Sequence, residues 1–288
     1  MTVNVDEIRR LRIEDPEAIT RAADTRVPGE PGARLMLVAA DHPARGSIAA
    51  RGRPTAMADR GDLLERLVTA LSQPGVDGVL GTPDILEDLL LLGALDRKVV
   101  FGSMNRGGLA GAAFELDDRF TAYDAATIAS MHFDGGKMLV RIALEEPETA
   151  MTLESAAHAV SDLADRGLIA MVEPFMSIRK DSKVSNVLTP DAVIKSMAIA
   201  AGLGKTSKHT WLKLPVVDEM ERVMTATTLP TLLLGGDPKE SDDEIYRQWE
   251  NTLKLPGVQG LVVGRALLYP EDDDVAAAVA TATRLVHG

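Results

Sequence analysis

From residue 34 onward, short runs of β-branched and aliphatic residues alternate with longer stretches whose apolar positions recur every three or four residues. That alternation is the pattern of βα units feeding a parallel sheet. Eight strand-like runs can be counted, at 34–41, 76–82, 98–104, 137–144, 168–176, 210–216, 231–236 and 260–266. Stretches between them, such as LESAAHAVSDLADRG and DAVIKSMAIAAGLG, have helical periodicity and close on glycine. Eight repeats predict one domain, an α/β (β/α)8 TIM barrel over residues 1–288, with residues 1–30 as an N-terminal helical extension. The competing architecture is an open doubly wound sheet, which favours a GxGxxG turn after its first strand; none follows Asp41. The connection 105–136 is longer than the others and glycine-rich near Asn105, so it reads as a lid or a surface excursion.

Barrel strands are covered on both faces and normally read as apolar throughout, so ionisable residues inside them need a reason. Side chains alternate along a strand. In KMLVRI, Lys137 and Arg141 therefore share one face, and Met138, Val140 and Ile142 share the other, which suits the helix layer. By the same parity Glu173 goes with Met171 and Phe175, and Lys213 with Trp211 and Pro215, all toward the barrel interior. Asp41, at the end of the first strand, is expected to join them. Charges gathered at C-terminal strand ends match where barrels place chemistry. The plainer alternative is a buried structural ion-pair network, although apolar residues would often serve stability as well.

Composition narrows the choice. The 288 residues are 45% hydrophobic, enough for a large core, and 31 Lys and Arg against 43 Asp and Glu leave a net charge of −12 with no basic block. Nucleic acid and anionic membrane are therefore poor partners, whereas a small anionic substrate needs only a few local cations. No cysteine is present, which excludes disulfides, thiolate metal sites and a cysteine nucleophile, and agrees with a reducing, cytoplasmic setting. The five histidines show no HxxxH or HxH spacing, so no metal site is expected. The N-terminus has no apolar leader, and no segment approaches the roughly 18 apolar residues of a membrane span.

A lysine amine attacks a carbonyl only when neutral, and both burial and a neighbouring cation lower its pKa. Lys213 is the candidate nucleophile, with Lys137 the neighbour. Loss of water after attack on a ketone would leave an iminium able to take the electrons of an adjacent breaking C–C bond. Glu173, on the next strand, is placed to move protons; Asp41 is a second candidate, or a hydrogen-bond partner for substrate hydroxyls. No organic or metal cofactor is required. Gly235 and Gly236 end the seventh strand, and Gly264 and Arg265 end the eighth, where barrels commonly bind phosphate through loop N–H groups. A phosphorylated sugar is thus the expected substrate, with Arg141 and His42 as further binding candidates.

The same residues resemble a known superfamily of class I aldolases, that of deoxyribose-phosphate and archaeal-type fructose-bisphosphate aldolases. The nearest likeness is to its tagatose-bisphosphate and sulfofructose-phosphate branch. The run Ala-Asp-His-Pro-Ala-Arg-Gly-Ser (40–47) is similar to that branch's first-strand motif. Lys137 matches a fourth-strand lysine, Glu173 a fifth-strand glutamate, Lys213 the imine lysine, and Gly264 with Arg265 a closing Gly-Arg. The likeness runs in order from 34 to 270. It implies Schiff-base cleavage or formation of a C–C bond, dihydroxyacetone phosphate as one fragment, and association into a homo-oligomer. Two departures stand out: the first loop carries His42 and a two-residue insertion before Arg45, and Phe175 lies where the fructose-bisphosphate branch offers a tyrosine acid nearby.

Other readings remain open at this point. An imine-forming transferase of transaldolase or thiolase type would use Lys213 identically, and a barrel that only binds a sugar phosphate would form no adduct. His42 could contact substrate or make a structural hydrogen bond. Asn105 and Arg106 end the third strand and could contact ligand, although an exposed loop is the favoured reading; Trp211 reads as barrel core, and EDDDV (271–275) as a solvated helix start. The run GLGKTS (202–207) lacks P-loop spacing and precedes a strand, so it reads as a loop.

Overall fold

The computed structural model describes residues 3–181, 183–235 and 241–288. Among these residues nine strands form: β1 (Leu35–Ala39), β2 (Gly78–Gly81), β3 (Val99–Ser103), β4 (Gly135–Ile142), β5 (Ile169–Lys180), β6 (Lys183–Asn186), β7 (Thr210–Pro215), β8 (Thr231–Leu234) and β9 (Val258–Val263). Eight of them close a ring in the order β1-β2-β3-β4-β5-β7-β8-β9, with every neighbouring pair parallel. Helices lie between the strands, so the architecture is the (β/α)8 barrel that the hydrophobic pattern predicts.

Strand parity sorts the apolar residues into two cores. Leu35, Leu37, Leu80, Phe101, Met171 and Leu232 fill the barrel interior, with Trp211 packed against them. The alternate positions, among them Met36, Val38, Met138, Val140, Val172 and Leu214, join the larger core between sheet and helices. Glycine permits the closest strand approach. A Cβ on Gly260, whose φ is +139°, would lie 1.9 Å from the Leu35 carbonyl oxygen, and one on Gly78 would lie 1.9 Å from that of Val99. Two Asp-Gly steps also stitch the N-terminal end of the ring. Asp77 accepts from the Met36 N–H at 2.6 Å, and Asp134 accepts from the Val100 N–H at 2.7 Å.

The structure adds to the sequence reading at the N-terminus and differs from it in two later places. The first thirty residues form two helices, α1 (Val5–Glu14) and α2 (Ala18–Thr25), because Pro16 cannot donate the N–H that continuation would need. The fifth strand runs four residues beyond Met176 and turns into β6, an antiparallel hairpin whose residues are mostly polar and exposed, so no apolar run marks it. Asn105 and Arg106 are buried, not exposed. The long connection folds back so that Asn105 Nδ2 donates to the Asp118 carbonyl at 3.0 Å, while the Leu139 N–H donates to Asn105 Oδ1 at 2.7 Å. The acidic run at 271–275 does start a helix, α11 (Val275–His287), with Asp274 accepting from the Ala277 N–H. No helix among the described residues is long and apolar enough to cross a membrane.

Candidate active site

At the C-terminal end of the barrel lies a cavity of about 480 Å³. Its wall includes Asp41, Lys137, Glu173 and Lys213, contributed by the end of β1 and by β4, β5 and β7. The inward parity read for each of these residues brings all four together.

Glu173 is the hub. Its Oε1 lies 3.0 Å from Lys213 Nζ, and its Oε2 accepts from Lys137 Nζ. Lys137 in turn reaches Asp41 Oδ2 at 3.1 Å. Asp41 also pairs with Arg106 and accepts from Ser103 Oγ at 3.4 Å. Lys137, Lys213 and Asp41 are at most 3% exposed. Burial lowers the pKa of Lys213, as do Arg106 and Arg265, and the Glu173 carboxylate only partly offsets this. Burial and the Arg106 charge drive Lys137 well below its ordinary value. Burial alone would raise the Glu173 carboxyl, but the charges of Lys137 and Lys213 outweigh it and hold the group below its usual range. The arrangement therefore pairs a firmly ionised carboxylate with two amines that shed their protons easily.

The other predicted residues fall into distinct places. His42 lines the cavity with its Nδ1 buried, without a hydrogen-bond partner, and 3.9 Å from Asp41 Oδ1. Burial, Arg265 and Lys213 push its pKa well down, so the ring is neutral. Gly235, Gly264 and Arg265 also line the cavity. Gly264 is obligatory there, since a Cβ would lie 2.3 Å from the Ala39 carbonyl oxygen and 2.9 Å from His42 Cε1. Gly236 lies outside the described residues. Arg141 points inward, as its parity with Lys137 requires, but it stands behind the cavity wall. Its Nε donates to Asp118 Oδ2 at 2.9 Å, and its other nitrogens reach Asp118, Glu115 and the Gly108 carbonyl. Those bonds occupy it as a structural clasp.

Other residues of the wall were set aside, as Arg106 was, or not singled out by the sequence reading. Arg106 follows β3 directly, and its position at a C-terminal strand end was the available signal. Arg45 sits in a short 3-10 turn after β1 and pairs with Glu115 at 3.3 Å. Gln248 and Trp249 of α9 (Asp242–Thr252) and Asn186 of the hairpin come from outside the strand ends, where no local pattern marks them. Among the described residues, five Lys and Arg side chains face two carboxylates across this cavity, in a chain whose net charge is −12. No cluster of three or more metal-ligating side chains forms among the described residues.

Comparison with known proteins gives a consistent picture. A family model described as Cgl0159-like matches residues 33–283. The crystal structure of Cgl0159 from Corynebacterium glutamicum is 56% identical, with a TM-score of 0.96 over 98% of this chain and 96% of that one. A Schiff base forming fructose-1,6-bisphosphate aldolase matches at 19% identity and a TM-score of 0.68, covering 93% and 100% of the two chains. An archaeal fructose-1,6-bisphosphate aldolase, with its catalytic lysine bound to a carbinolamine intermediate, matches at 18% identity and 0.69, covering 94% and 100%. At that identity the likeness to the aldolases is one of fold. Comparison with curated protein sequences gave no match.

Proposed function

We propose that this chain, which belongs to the Cgl0159-like family, is a class I aldolase that makes or breaks a C–C bond of a phosphorylated sugar through a Schiff base on Lys213. The observation that carries the reading is the Glu173 carboxylate held between two buried lysines, 3.0 Å from Lys213 Nζ, on the floor of an open cavity. Lys213 has one carboxylate partner, whereas Lys137 is strung between Asp41 and Glu173. Lys213 is thus the amine freer to react, and Lys137 the charge that tunes it.

In the cleavage direction, neutral Lys213 Nζ adds to the substrate ketone. Glu173 takes the proton that Nζ sheds on addition, Lys137 protonates the ketone oxygen, and Glu173 gives its proton back as the carbinolamine hydroxyl leaves as water. The regenerated Glu173 carboxylate then takes the proton of the hydroxyl beyond the scissile bond. As the C–C bond breaks, its electron pair passes to the iminium, an aldehyde leaves, and an enamine remains on Lys213. Protonation of the enamine and hydrolysis release the ketone fragment and the free amine. Asp41, engaged with Lys137, Ser103 and Arg106, orients this machinery and offers an acceptor to substrate hydroxyls. Gly235, Gly264 and Arg265 receive the phosphate. The motif at 40–47 supports the tagatose-bisphosphate and sulfofructose-phosphate branch as the nearest functional relatives.

The test is intact-mass spectrometry after borohydride reduction in the presence of dihydroxyacetone phosphate, with peptide mapping. The expected result is an adduct on Lys213 that is absent from Lys213→Met. No adduct with this ketone or with other phosphorylated carbonyl compounds would overturn the reading.

A further inference from the structure

Once the aldehyde has left, the enamine carbon needs a proton, and few groups of the cavity wall can carry it. Asp41, Lys137 and Glu173 are bonded to one another, and Lys213 holds the substrate. Arginine keeps its proton near neutrality. Among the described residues no tyrosine lines the cavity; Phe175 does. His42 is the remaining side chain there that both takes and gives a proton near neutrality.

The local fold holds its ring in place. His42 caps the 3-10 turn Pro43–Arg45 that follows β1, and the turn closes on Gly46, whose φ is +76° and whose N–H donates to the Pro43 carbonyl at 2.9 Å. Gly264 makes room for the ring, since a Cβ there would lie 2.9 Å from His42 Cε1. One edge of the ring is closed. Nδ1 is enclosed, has no hydrogen-bond partner and lies 3.9 Å from Asp41 Oδ1. The bonds of Asp41 to Lys137, Ser103 and Arg106 fall on Oδ2, so Oδ1 is the oxygen turned to His42. That distance is too long for a hydrogen bond, but a carboxylate there favours the proton on Nδ1 and leaves the lone pair on Nε2, at the opposite edge. The side chain keeps 22% of its surface exposed, in the cavity that it shares with Lys213. Burial keeps the ring neutral, as do the charges of Arg265, Lys213 and Lys137, against the opposing pull of Glu173. A neutral imidazole is a base, and its conjugate acid in such surroundings surrenders a proton readily.

We infer that His42 is the acid–base catalyst at the carbon beside the imine. The inference rests on the aldolase reading and assigns a step within it. With dihydroxyacetone phosphate held as the iminium on Lys213, His42 Nε2 takes a proton from the hydroxymethyl carbon. The C–H electron pair becomes the C=C bond of the enamine, and the C=N pair returns to nitrogen. In the cleavage direction the imidazolium gives that proton to the same carbon. The proton that Glu173 collects from the substrate hydroxyl recharges His42, so the count closes without a further reactant.

Proton exchange and imine trapping separate this step from the one before it. The parent chain, in D2O with dihydroxyacetone phosphate, is expected to exchange one of the two hydroxymethyl protons, followed by proton NMR. In His42→Gln, borohydride trapping on Lys213 should stay within about threefold of the parent, while exchange and turnover fall by about 10²–10⁴, the contribution of a positioned acid or base. Retained trapping also shows that the barrel and its lysine are intact. Imidazole added to His42→Ala should restore part of the exchange, a rescue that a merely structural ring would not give. Exchange that is absent from the parent, that survives in His42→Gln, or that falls in step with trapping in both variants overturns the inference. A parent chain that forms no adduct at all overturns the aldolase reading and this step with it, whereas an adduct with exchange unchanged in His42→Gln removes only the role of His42.

Discussion

Lys213 and Glu173 stand on neighbouring strands of the ring with Nζ and Oε1 3.0 Å apart, both inside the barrel and both buried. Each sets the other's titration. Glu173 raises the lysine pKa that burial lowers, and Lys213 helps to hold the carboxylate ionised. Glu173→Gln should therefore lower turnover by about 10²–10⁴, the usual contribution of a positioned acid or base. It should also move the acid limb of the pH profile for imine formation to lower pH, since the charge that favours the ammonium is gone. Stopped-flow trapping across pH measures both effects. A limb that moves upward in Glu173→Gln would contradict the assignment.

The same lysine makes stability depend on pH. Its native pKa lies below the unfolded value of 10.5, so between the two the unfolded chain binds more protons. The contribution of Lys213 to stability therefore grows as pH rises through that window. Lys213→Met should be more stable than the parent chain near neutrality, and the difference should shrink toward pH 10.5. Urea titrations at several pH values follow it.

The Arg141–Asp118 clasp is fully buried, with the two side chains 2% and 3% exposed. Removal of one partner strands the other charge, at about 3–5 kcal/mol. Asp118→Ala should lose that much stability in chemical denaturation. The paired change Arg141→Met with Asp118→Leu should recover most of it.

His42 should stay neutral well below pH 6.5, because burial and the charges of Arg265 and Lys213 oppose its protonation. The unfolded chain takes up that proton and the native chain does not, so His42 reduces stability as pH falls below 6.5. Nitrogen chemical shifts of labelled histidine, recorded between pH 5 and 8, should show one ring without a protonation shift, and His42→Gln should remove that signal.

Gly264→Ala tests how tightly the phosphate corner is built. The new methyl group would meet the Ala39 carbonyl and the His42 ring, and overpacking of this kind costs about 1–3 kcal/mol. Thermal unfolding should fall accordingly. Binding of glucitol 6-phosphate should weaken far more than the same change at exposed Gly93, where nothing lies within 4 Å.

Period-two alternation was enough to place Lys137, Glu173, Lys213 and Asp41 on one interior, because a strand leaves a side chain only two directions. The same alternation aimed Arg141 inward but carried no information about Asp118, 23 residues away in sequence, which holds it. Arg106 was read as exposed for a related reason. A run of Asn, Arg and Gly resembles a solvent loop, and only the fold-back that pairs Asn105 with the Asp118 and Leu139 backbones buries it. The walls from α9 and the β5–β6 hairpin depend on how elements pack after the ring has closed, and no short-range pattern encodes that.

The long connection after β3 is fastened along its length, by Asn105 to β4, by Ala110 to the first loop and by Asp118 to Arg141. It contributes Arg106 to the cavity wall and is held against the barrel at these three points. A ligand that reaches that side meets donors already in position, so little conformational entropy is lost there on association. Discrimination between substrates on that side then follows from the shape and charge of groups already in place.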